Sequence, residues 1–335
     1  MLLRLLFVVH LLLAIPAPVL AADPLPSWND GRAKQAILKF VRAATDQDSP
    51  HFVKPGERIA TFDNDGTLWV EKPVYTQVVF ALDRVRELAP RHPEWKTEQP
   101  FKTLLEAPND AALADFSIQD FAKIVADTHT GITTSEFSQI VCHWLQAAQH
   151  PRFDRPYTEL VYQPMLEVLS YLRASGFKTY IVTRGGQDFV RVFSDRIYGI
   201  PAGQVIGSAG KTAYEYDADG QPILVKQPEV FLIDDKQGKP EGIHLLIGQK
   251  PHAAFGNSTG DQQMLEWTQS GGRPQLMMLV HHDDAQREYA YGPDSKVGTF
   301  SKALMDEARE RGWVVISMKN DWKRIFAFEE LSAGE

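Results

Sequence analysis

The sequence contains one cysteine, no uninterrupted apolar run of about 20 residues, no internal repeat and no low-complexity tract. A single cysteine excludes an intramolecular disulfide and leaves a structural thiolate zinc site without support. The chain is not basic either. Its formal net charge of −8 over 335 residues argues against a nucleic-acid or anionic-membrane surface. We therefore expect a small soluble partner molecule and no nucleic acid.

The single cysteine, Cys142, lies in a stretch of apolar residues at helical spacing. The apolar residues around it are Phe137, Ile140, Val141, Trp144 and Leu145. We predict that Cys142 fills the core and does not act as a nucleophile.

Residues 1–21 have the pattern of a cleaved secretory signal peptide. Arg4 precedes an apolar core from Leu5 to Leu13, and Val19-Leu20-Ala21 offers small residues for cleavage before Ala22. The apolar core is shorter than a membrane span, and prolines follow it. These features predict a periplasmic or secreted protein with no stable membrane anchor after cleavage of the signal.

The rest of the chain falls into regions that differ in the spacing of their apolar residues. Between residues 75 and 155 apolar residues recur every three or four positions, as at Val78, Leu82 and Val85, which predicts a helical insertion. The flanking parts, 22–74 and 156–335, alternate strand-like and helical patterns, with strands expected at Phe177–Val182 and at four later positions. These are Val230–Ile233, Ala253–Phe255, Leu276–Val280 and Trp313–Met318. Such alternation predicts an α/β fold with a doubly wound, mostly parallel sheet.

The segment from Phe62 to Leu68 places two carboxylates, Asp63 and Asp65, where an apolar strand gives way to a glycine turn. Ligands bind at the carboxyl ends of strands in open α/β sheets. A carboxylate there can attack phosphorus, and a second acid two positions on can protonate the leaving oxygen and then activate water. An Asx turn that closes a strand is the alternative for this segment taken alone.

Three later segments also place polar groups where elements begin or end. Thr183-Arg184-Gly185-Gly186 follows a strand and offers a hydroxyl and backbone N–H groups for phosphate. Lys239 precedes Pro240 at a predicted helix start and could neutralise phosphate and aspartate together. Gly256-Asn257-Ser258-Thr259-Gly260-Asp261 ends another strand with oxygen-bearing side chains that suit Mg²⁺.

These four segments are numbered as the first to fourth motifs in chain order. Together they resemble the haloacid dehalogenase superfamily, in its phosphatase branch and most closely its phosphoserine phosphatase-like members. The resemblance spans about Ile59 to Leu265. It implies a Rossmann-like core, a cap inserted between the first two motifs, and Mg²⁺-dependent hydrolysis of phosphate esters. The acid at Asp65 separates the chain from dehalogenase members, which lack it and use no metal.

The resemblance also implies roles for individual residues. Asp63 would be the nucleophile and a metal ligand, and Asp65 the general acid/base, which binds the metal through its backbone carbonyl. Thr183, Arg184, Gly185 and Lys239 would bind the phosphoryl group, with Lys236 a possible substitute for Lys239. Asn257 stands where many members have a ligating aspartate, so either Asn257 or Asp261 would contact the metal.

Three other features of the sequence lie outside these motifs. Thr212 to Leu232 alternates apolar and polar residues around Asp217-Ala218-Asp219-Gly220, which predicts a β-hairpin. His281-His282-Asp283-Asp284 is interpreted as a polar loop at the end of a strand. Glu71 and His129 are candidates for substrate contact, although most such residues are structural.

The sequence therefore predicts a Mg²⁺-dependent phosphomonoesterase that acts on small phosphate esters through an aspartyl-phosphate on Asp63. Two alternatives remain open. One is a phosphotransferase, in which an acceptor alcohol replaces water. The other is a catalytically silent binding protein of the cell envelope, against which the intact set Asp63, Asp65, Thr183 and Lys239 argues.

Overall fold

A computed structural model of the chain describes residues 22–106, 116 and 118–329. The predicted signal peptide lies outside the described residues. The helices are α1 (Arg32–Thr45), α2 (Thr76–Leu88), α3 (Phe101–Glu106), α4 (Ile118–His129), α5 (Thr134–Ala147), α6 (Gln163–Ala174), α7 (Gln187–Arg191), α8 (Ser194–Tyr198), α9 (Gly238–Leu246), α10 (Gln262–Gln269), α11 (Lys302–Arg311) and α12 (Met318–Asp321). The strands are β1 (Ile59–Phe62), β2 (Gln149–His150), β3 (Arg155–Pro156), β4 (Lys178–Gly186), β5 (Val205–Tyr216), β6 (Pro222–Leu232), β7 (Ala253–Gly256), β8 (Leu276–His281) and β9 (Val314–Ser317). Within these ranges no helix combines the length and the apolarity needed to cross a bilayer.

Seven strands form one sheet in the order β6-β5-β4-β1-β7-β8-β9. Every neighbouring pair is parallel except β5 and β6, which are antiparallel. The strand order reverses direction at β1, which pairs with β4 on one side and β7 on the other. The prediction of an α/β, doubly wound, mostly parallel sheet is confirmed.

Alternate residues of the central strands belong to two separate apolar clusters, one on each face of the sheet. Phe62, Ile181 and Phe255 pack in one cluster, which also takes side chains from α1 and α6. Val182 and Ala254 pack in the other, with side chains from α9, α10 and α11. Because both faces are covered, all four residues of β1 are buried and its carboxyl end is held rigidly between its neighbours.

The predicted hairpin is present, but it is part of the main sheet. β5 pairs in parallel with β4 and continues outward as the first strand of the hairpin, and β6 returns beside it as the edge strand. Gly220 has φ +75° at the tip, where glycine avoids the strain that a Cβ would bring. The expected separate strand at Val230–Ile233 was wrong, because its residues to Leu232 end β6 and run antiparallel.

Helices α2 to α5 lie between β1 and β4 in the chain. Thr133 starts α5 with a capping box, in which its side chain and that of Glu136 each accept a hydrogen bond from the other's backbone N–H. Part of this helical segment has its own apolar cluster, formed by Ala81, Leu82, Val85, Trp95, Phe101, Leu104 and Ile124. Phe80 instead packs on Phe189 of α7, with ring centroids 5.3 Å apart, so one side of the segment is continuous with the main core.

The prediction that Cys142 fills the core was wrong. Cys142 is exposed, and the buried face of α5 consists of Phe137, Val141 and Leu145. These three residues are spaced by four, and the residue that follows Val141 lies about 100° further around the helix. Apolar neighbours on both sides of Cys142 therefore did not place it on the buried face.

Candidate active site

The first motif forms a tight loop at the carboxyl end of β1. The backbone N–H of Asp63 donates to Phe255 O at 2.9 Å, which extends the β1–β7 pairing by one residue. Gly66 has φ +73°, and a Cβ there would collide with the side chains of Asn257 and Glu71. The indole Nε1 of Trp69 donates to Asp65 Oδ1 at 2.8 Å. These contacts fix the backbone of Asp63 and the carboxyl group of Asp65 at the end of the central strand.

Lys239 lies directly behind Asp63. Its Nζ donates to Asp63 Oδ1 at 2.6 Å, to Asp261 Oδ1 at 2.6 Å and to Val182 O at 2.8 Å. Lys239 is 1% exposed, so a buried ammonium joins two carboxylates. Lys236, the alternative to Lys239, has φ +52° in the loop that precedes α9. Among the described residues, no hydrogen bond or ion pair joins its side chain to Asp63.

Both carboxyl oxygens of Asp261 accept hydrogen bonds from the protein. Oδ1 accepts from Lys239, and Oδ2 accepts from the backbone N–H groups of Asn257 at 3.0 Å and Ser258 at 2.9 Å. Asp261 is 1% exposed. The side chain therefore ties the fourth motif to the buried lysine.

The second motif ends β4 beside Asp65. Thr183 is fully buried, and its Oγ1 accepts from Gly185 N at 3.0 Å. A Cβ on Gly185 would lie 3.3 Å from Thr183 Oγ1 and 3.5 Å from Asp65 Oδ2, so the bare backbone faces Asp65. Arg184 is exposed at the rim, with Nε 3.9 Å from Asp235 Oδ2. Polar groups from two strands thus converge on the space around Asp63.

A residue of the helical segment reaches the same loop. Gln77 of α2 places Oε1 2.5 Å from Gly186 N and accepts its hydrogen bond. The sequence reasoning missed Gln77, because a glutamine on a helix carries no motif. Its position depends on α2 packing over the end of β4.

A segment near the C-terminus also contributes, although the sequence analysis did not assign it to the site. His282 is buried; its Nε2 lies 2.7 Å from Gly66 O, and its Nδ1 lies 3.1 Å from Glu288 Oε2. Tyr291 stacks on the His282 ring and donates from its hydroxyl to Glu71 Oε1 at 2.6 Å. The interpretation of this stretch as a merely polar loop was therefore incomplete, since its residues hold the first-motif loop in place.

Of the two candidates for substrate contact, His129 is enclosed within the helical segment. It is buried between the rings of Phe80 and Phe137, with Nδ1 2.6 Å from Thr128 Oγ1. Glu71 is buried beside the first motif and contacts Asn257. Neither side chain is on the surface.

Burial and neighbouring charges shift the titration of these groups. Burial and the charge of Asp261 raise the pKa of Asp63 well above its ordinary value. Burial also raises the pKa of Asp65 to about 6, although the hydrogen bond from Trp69 lowers it. Burial alone would lower the pKa of Lys239, but the adjacent carboxylates of Asp261 and Asp63 hold it above its usual value. A lysine so placed stays charged, and a carboxyl group that titrates near neutrality suits proton transfer in both directions.

The oxygen donors at the site suit a magnesium ion. Among the described residues no group of three or more His, Cys, Asp or Glu side chains is arranged to hold a metal. Mg²⁺, however, usually binds through one or two carboxylates and keeps several waters. Oδ2 of Asp63 accepts no hydrogen bond from a described residue. Among the same residues, Oδ1 of Asn257 accepts a hydrogen bond only from Thr67 Oγ1, at 3.3 Å. These hard oxygens fit that ion.

The fold and the site define a hydrolase of the α/β class with its centre at the end of β1. A family model described as haloacid dehalogenase-like hydrolase matches residues 60–266, which contain all four motifs. The chain belongs to this family, and the resemblance inferred from the motifs is confirmed at the level of the superfamily. No curated protein matches the chain.

The chain is similar to several solved structures at low identity. A protein of unknown function from Bordetella pertussis Tohama I is 16% identical, with 78% of this chain and 99% of that chain covered and a TM-score of 0.50. A functionally unknown protein from Anaerococcus prevotii DSM 20548 is 15% identical, with coverage of 85% and 91% and a TM-score of 0.52. A phosphoserine phosphohydrolase-like protein from Francisella tularensis subsp. tularensis SCHU S4 is 15% identical, with coverage of 77% and 94% and a TM-score of 0.40.

Proposed function

We propose that the protein is a Mg²⁺-dependent phosphomonoesterase that hydrolyses small phosphate esters through an aspartyl-phosphate on Asp63. The observation that carries this proposal is the position of Lys239 Nζ, 2.6 Å from Asp63 Oδ1, inside a site that also presents Asp65 and the second-motif loop. A buried cation against a strand-end carboxylate is a costly arrangement that structure alone does not require. It suits a site that must bind a phosphoryl dianion next to an aspartate.

The reaction has two steps. In the first, a carboxylate oxygen of Asp63 attacks phosphorus, the bond from phosphorus to the ester oxygen breaks, and Asp65 gives its proton to the leaving oxygen. In the second, Asp65 takes a proton from water as that water attacks phosphorus, and the bond from phosphorus to Asp63 breaks. Inorganic phosphate leaves, and both carboxyl groups return to their starting states.

The other residues bind and orient the phosphoryl group. Lys239 balances negative charge on Asp63 and on the phosphoryl oxygens, and Asp261 keeps the lysine in place. The hydroxyl of Thr183 offers a donor to the phosphoryl group, and a side chain at 185 would fill the space that we assign to phosphate. Arg184 at the rim adds a positive charge that attracts an anionic substrate.

We assign the metal ligands to the side chains of Asp63 and Asn257 and to the backbone carbonyl of Asp65. When bound, Mg²⁺ would screen the charge of Asp63 against the incoming phosphate. Asp261 is assigned to Lys239 instead, because both of its oxygens already accept hydrogen bonds. This assignment chooses Asn257 between the two ligands that the sequence left open.

We also propose that residues 75–155 act as a cap and that residues 1–21 direct export to the periplasm or the medium. The contact of Gln77 with Gly186 supports the first proposal, because a cap must reach the phosphate-binding loop. The second rests on the sequence pattern alone. N-terminal sequencing of the protein from a periplasmic fraction would test it, and an intact Met1 there would contradict cleavage.

The function is tested with the purified protein and a panel of small phosphate esters that includes para-nitrophenyl phosphate. We expect release of inorganic phosphate that stops after exhaustive chelation with EDTA and returns with Mg²⁺. Asp63→Asn should reduce release to the background rate, because the covalent route is lost. Full activity after chelation would contradict the metal assignment, and unchanged activity in Asp63→Asn would contradict the mechanism.

The same assay separates hydrolysis from transfer. With added glycerol or ethanol as acceptor, a phosphotransferase would form a new phosphate ester and release correspondingly less inorganic phosphate. We expect inorganic phosphate to equal the alcohol released from the substrate. A silent binding protein would retain the ester without turnover.

A further inference from the structure

Glu71 is a buried carboxyl group that the reaction described above does not use. It is 2% exposed and lies beside the fourth motif. Its Oε1 accepts a hydrogen bond from Asn257 Nδ2 at 2.6 Å and another from the Tyr291 hydroxyl at 2.6 Å. Gly66 and Gly298 pack so closely on it that a Cβ at either would collide with its carboxyl group. The surrounding backbone thus leaves Glu71 little freedom.

The contact between Glu71 and Asn257 decides which way the asparagine amide points. An amide has an oxygen end that accepts and a nitrogen end that donates. Oε1 of Glu71 accepts a hydrogen bond from the Tyr291 hydroxyl, so this oxygen acts as an acceptor. It therefore presents an acceptor to the side chain at position 257 as well. The nitrogen of Asn257 therefore faces Glu71, and its oxygen is turned toward Thr67 and the first-motif loop, where Oγ1 of Thr67 lies 3.3 Å away. The reverse orientation would set two oxygens 2.6 Å apart.

We propose that Glu71 is a positioning residue that turns the amide oxygen of Asn257 toward the metal. This inference rests on the proposed function, which assigns Asn257 as a ligand. An aspartate would present an oxygen in either orientation, whereas an asparagine presents an oxygen in only one. The carboxyl group of Glu71 is a fixed acceptor that holds the Asn257 amide in the orientation with its oxygen toward the metal. Residues that hydrogen-bond to a metal ligand commonly orient it in this way.

The test measures Mg²⁺ affinity by isothermal titration calorimetry, with no substrate present. Glu71→Met keeps the side-chain length and removes the acceptor, so the amide can turn, and we expect affinity to fall by about 10–100-fold. Glu71→Gln keeps an acceptor oxygen and should stay within about threefold of the unaltered protein, since its oxygen end can still face the amide nitrogen. Glu167→Met is the matched control. Glu167 is also buried and accepts from Ser27 N and Oγ, but it lies outside the site, and its loss should leave Mg²⁺ affinity unchanged.

A second pair of variants removes the need for orientation. With Asn257→Asp, either oxygen of the new carboxylate can face the metal, so adding Glu71→Met should no longer weaken Mg²⁺ binding. That double variant also relieves the contact between two carboxyl groups that Asn257→Asp creates. Thermal unfolding shows whether each variant is folded, and if Glu71→Met does not fold alone, the double variant provides the test.

The outcomes separate this inference from the function on which it rests. An equal loss of Mg²⁺ affinity in Glu71→Met and Glu71→Gln would overturn the inference, because the charge of Glu71 and not the orientation of the amide would then matter. An equal loss from Glu71→Met in both backgrounds, or no loss at all, would also overturn it while Mg²⁺ binding by the unaltered protein stands. If the unaltered protein binds no Mg²⁺ at millimolar concentration, the metal assignment fails and this inference fails with it.

Discussion

Lys239 and Asp63 are 176 residues apart in the chain, yet Nζ of the lysine lies 2.6 Å from Oδ1 of the aspartate. The contact is buried and is completed by Asp261 on the other side of the ammonium. It brings the first, third and fourth motifs together at a single positive charge. The folded structure therefore depends on charged groups that the proposed reaction also uses.

Lys239→Met should destabilise the protein strongly. The variant leaves two buried carboxyl groups without their cation, and breaking a buried ion pair costs about 3–5 kcal/mol. Urea unfolding should show this loss of unfolding free energy. Lys123→Met is the control, because Lys123 also pairs with two carboxylates, Glu98 and Asp127, but near the surface, where such a pair contributes about 0–1 kcal/mol. Equal effects in the two variants would show that the buried charges are not held as described.

Asp234 should make stability depend on pH. It is fully buried, neither carboxyl oxygen has a hydrogen-bond partner among the described residues, and burial raises its pKa to about 8. The unfolded value is about 3.9, so between about pH 4 and pH 8 the folded protein binds a proton that the unfolded chain has released. The contribution of Asp234 to the free energy of unfolding therefore falls as pH rises through that window, by at most about 1.4 kcal/mol per pH unit.

Asp234→Asn removes this dependence. Urea unfolding at pH 5 and pH 8 should show that the variant gains stability relative to the unaltered protein as pH rises. The comparison cancels the other titrating groups, which both proteins share. A difference in unfolding free energy that stays constant between pH 5 and pH 8 would contradict the buried, unpartnered carboxyl group.

Gln77→Leu should weaken substrate binding without unfolding the protein. The variant removes the hydrogen bond from Gly186 to α2, which is worth about 0.5–1.5 kcal/mol, and so loosens the second-motif loop. We expect KM for para-nitrophenyl phosphate to rise about 2–10-fold. Gln139→Leu on the exposed face of α5 is the control. Unchanged KM in Gln77→Leu would mean that the helical segment does not act on the phosphate loop.

The sequence predicted the parts of the site that follow strand ends. Asp63, Thr183 and Asn257 each follow the strand pattern that positions them, and parallel strands bring their carboxyl ends to one edge. Glu71 was expected only as a candidate for substrate contact, and Gln77 and Tyr291 were not found as site residues. Contacts between distant segments place all three, and no local pattern marks their roles. Cys142 shows the same limit, since it follows the buried Val141 by one position in α5 and is exposed to solvent.

The most direct test of the proposed chemistry is to trap the phosphoryl group on the protein. Asp65→Asn lacks the base that activates water, so after mixing with para-nitrophenyl phosphate and Mg²⁺ and quenching in acid, we expect phosphate to accumulate on the protein. Mass spectrometry of the digested protein should place it on the peptide that contains Asp63, and Asp63→Asn should carry none. Phosphate on another residue, or turnover by Asp63→Asn at the rate of the unaltered protein, would contradict the account.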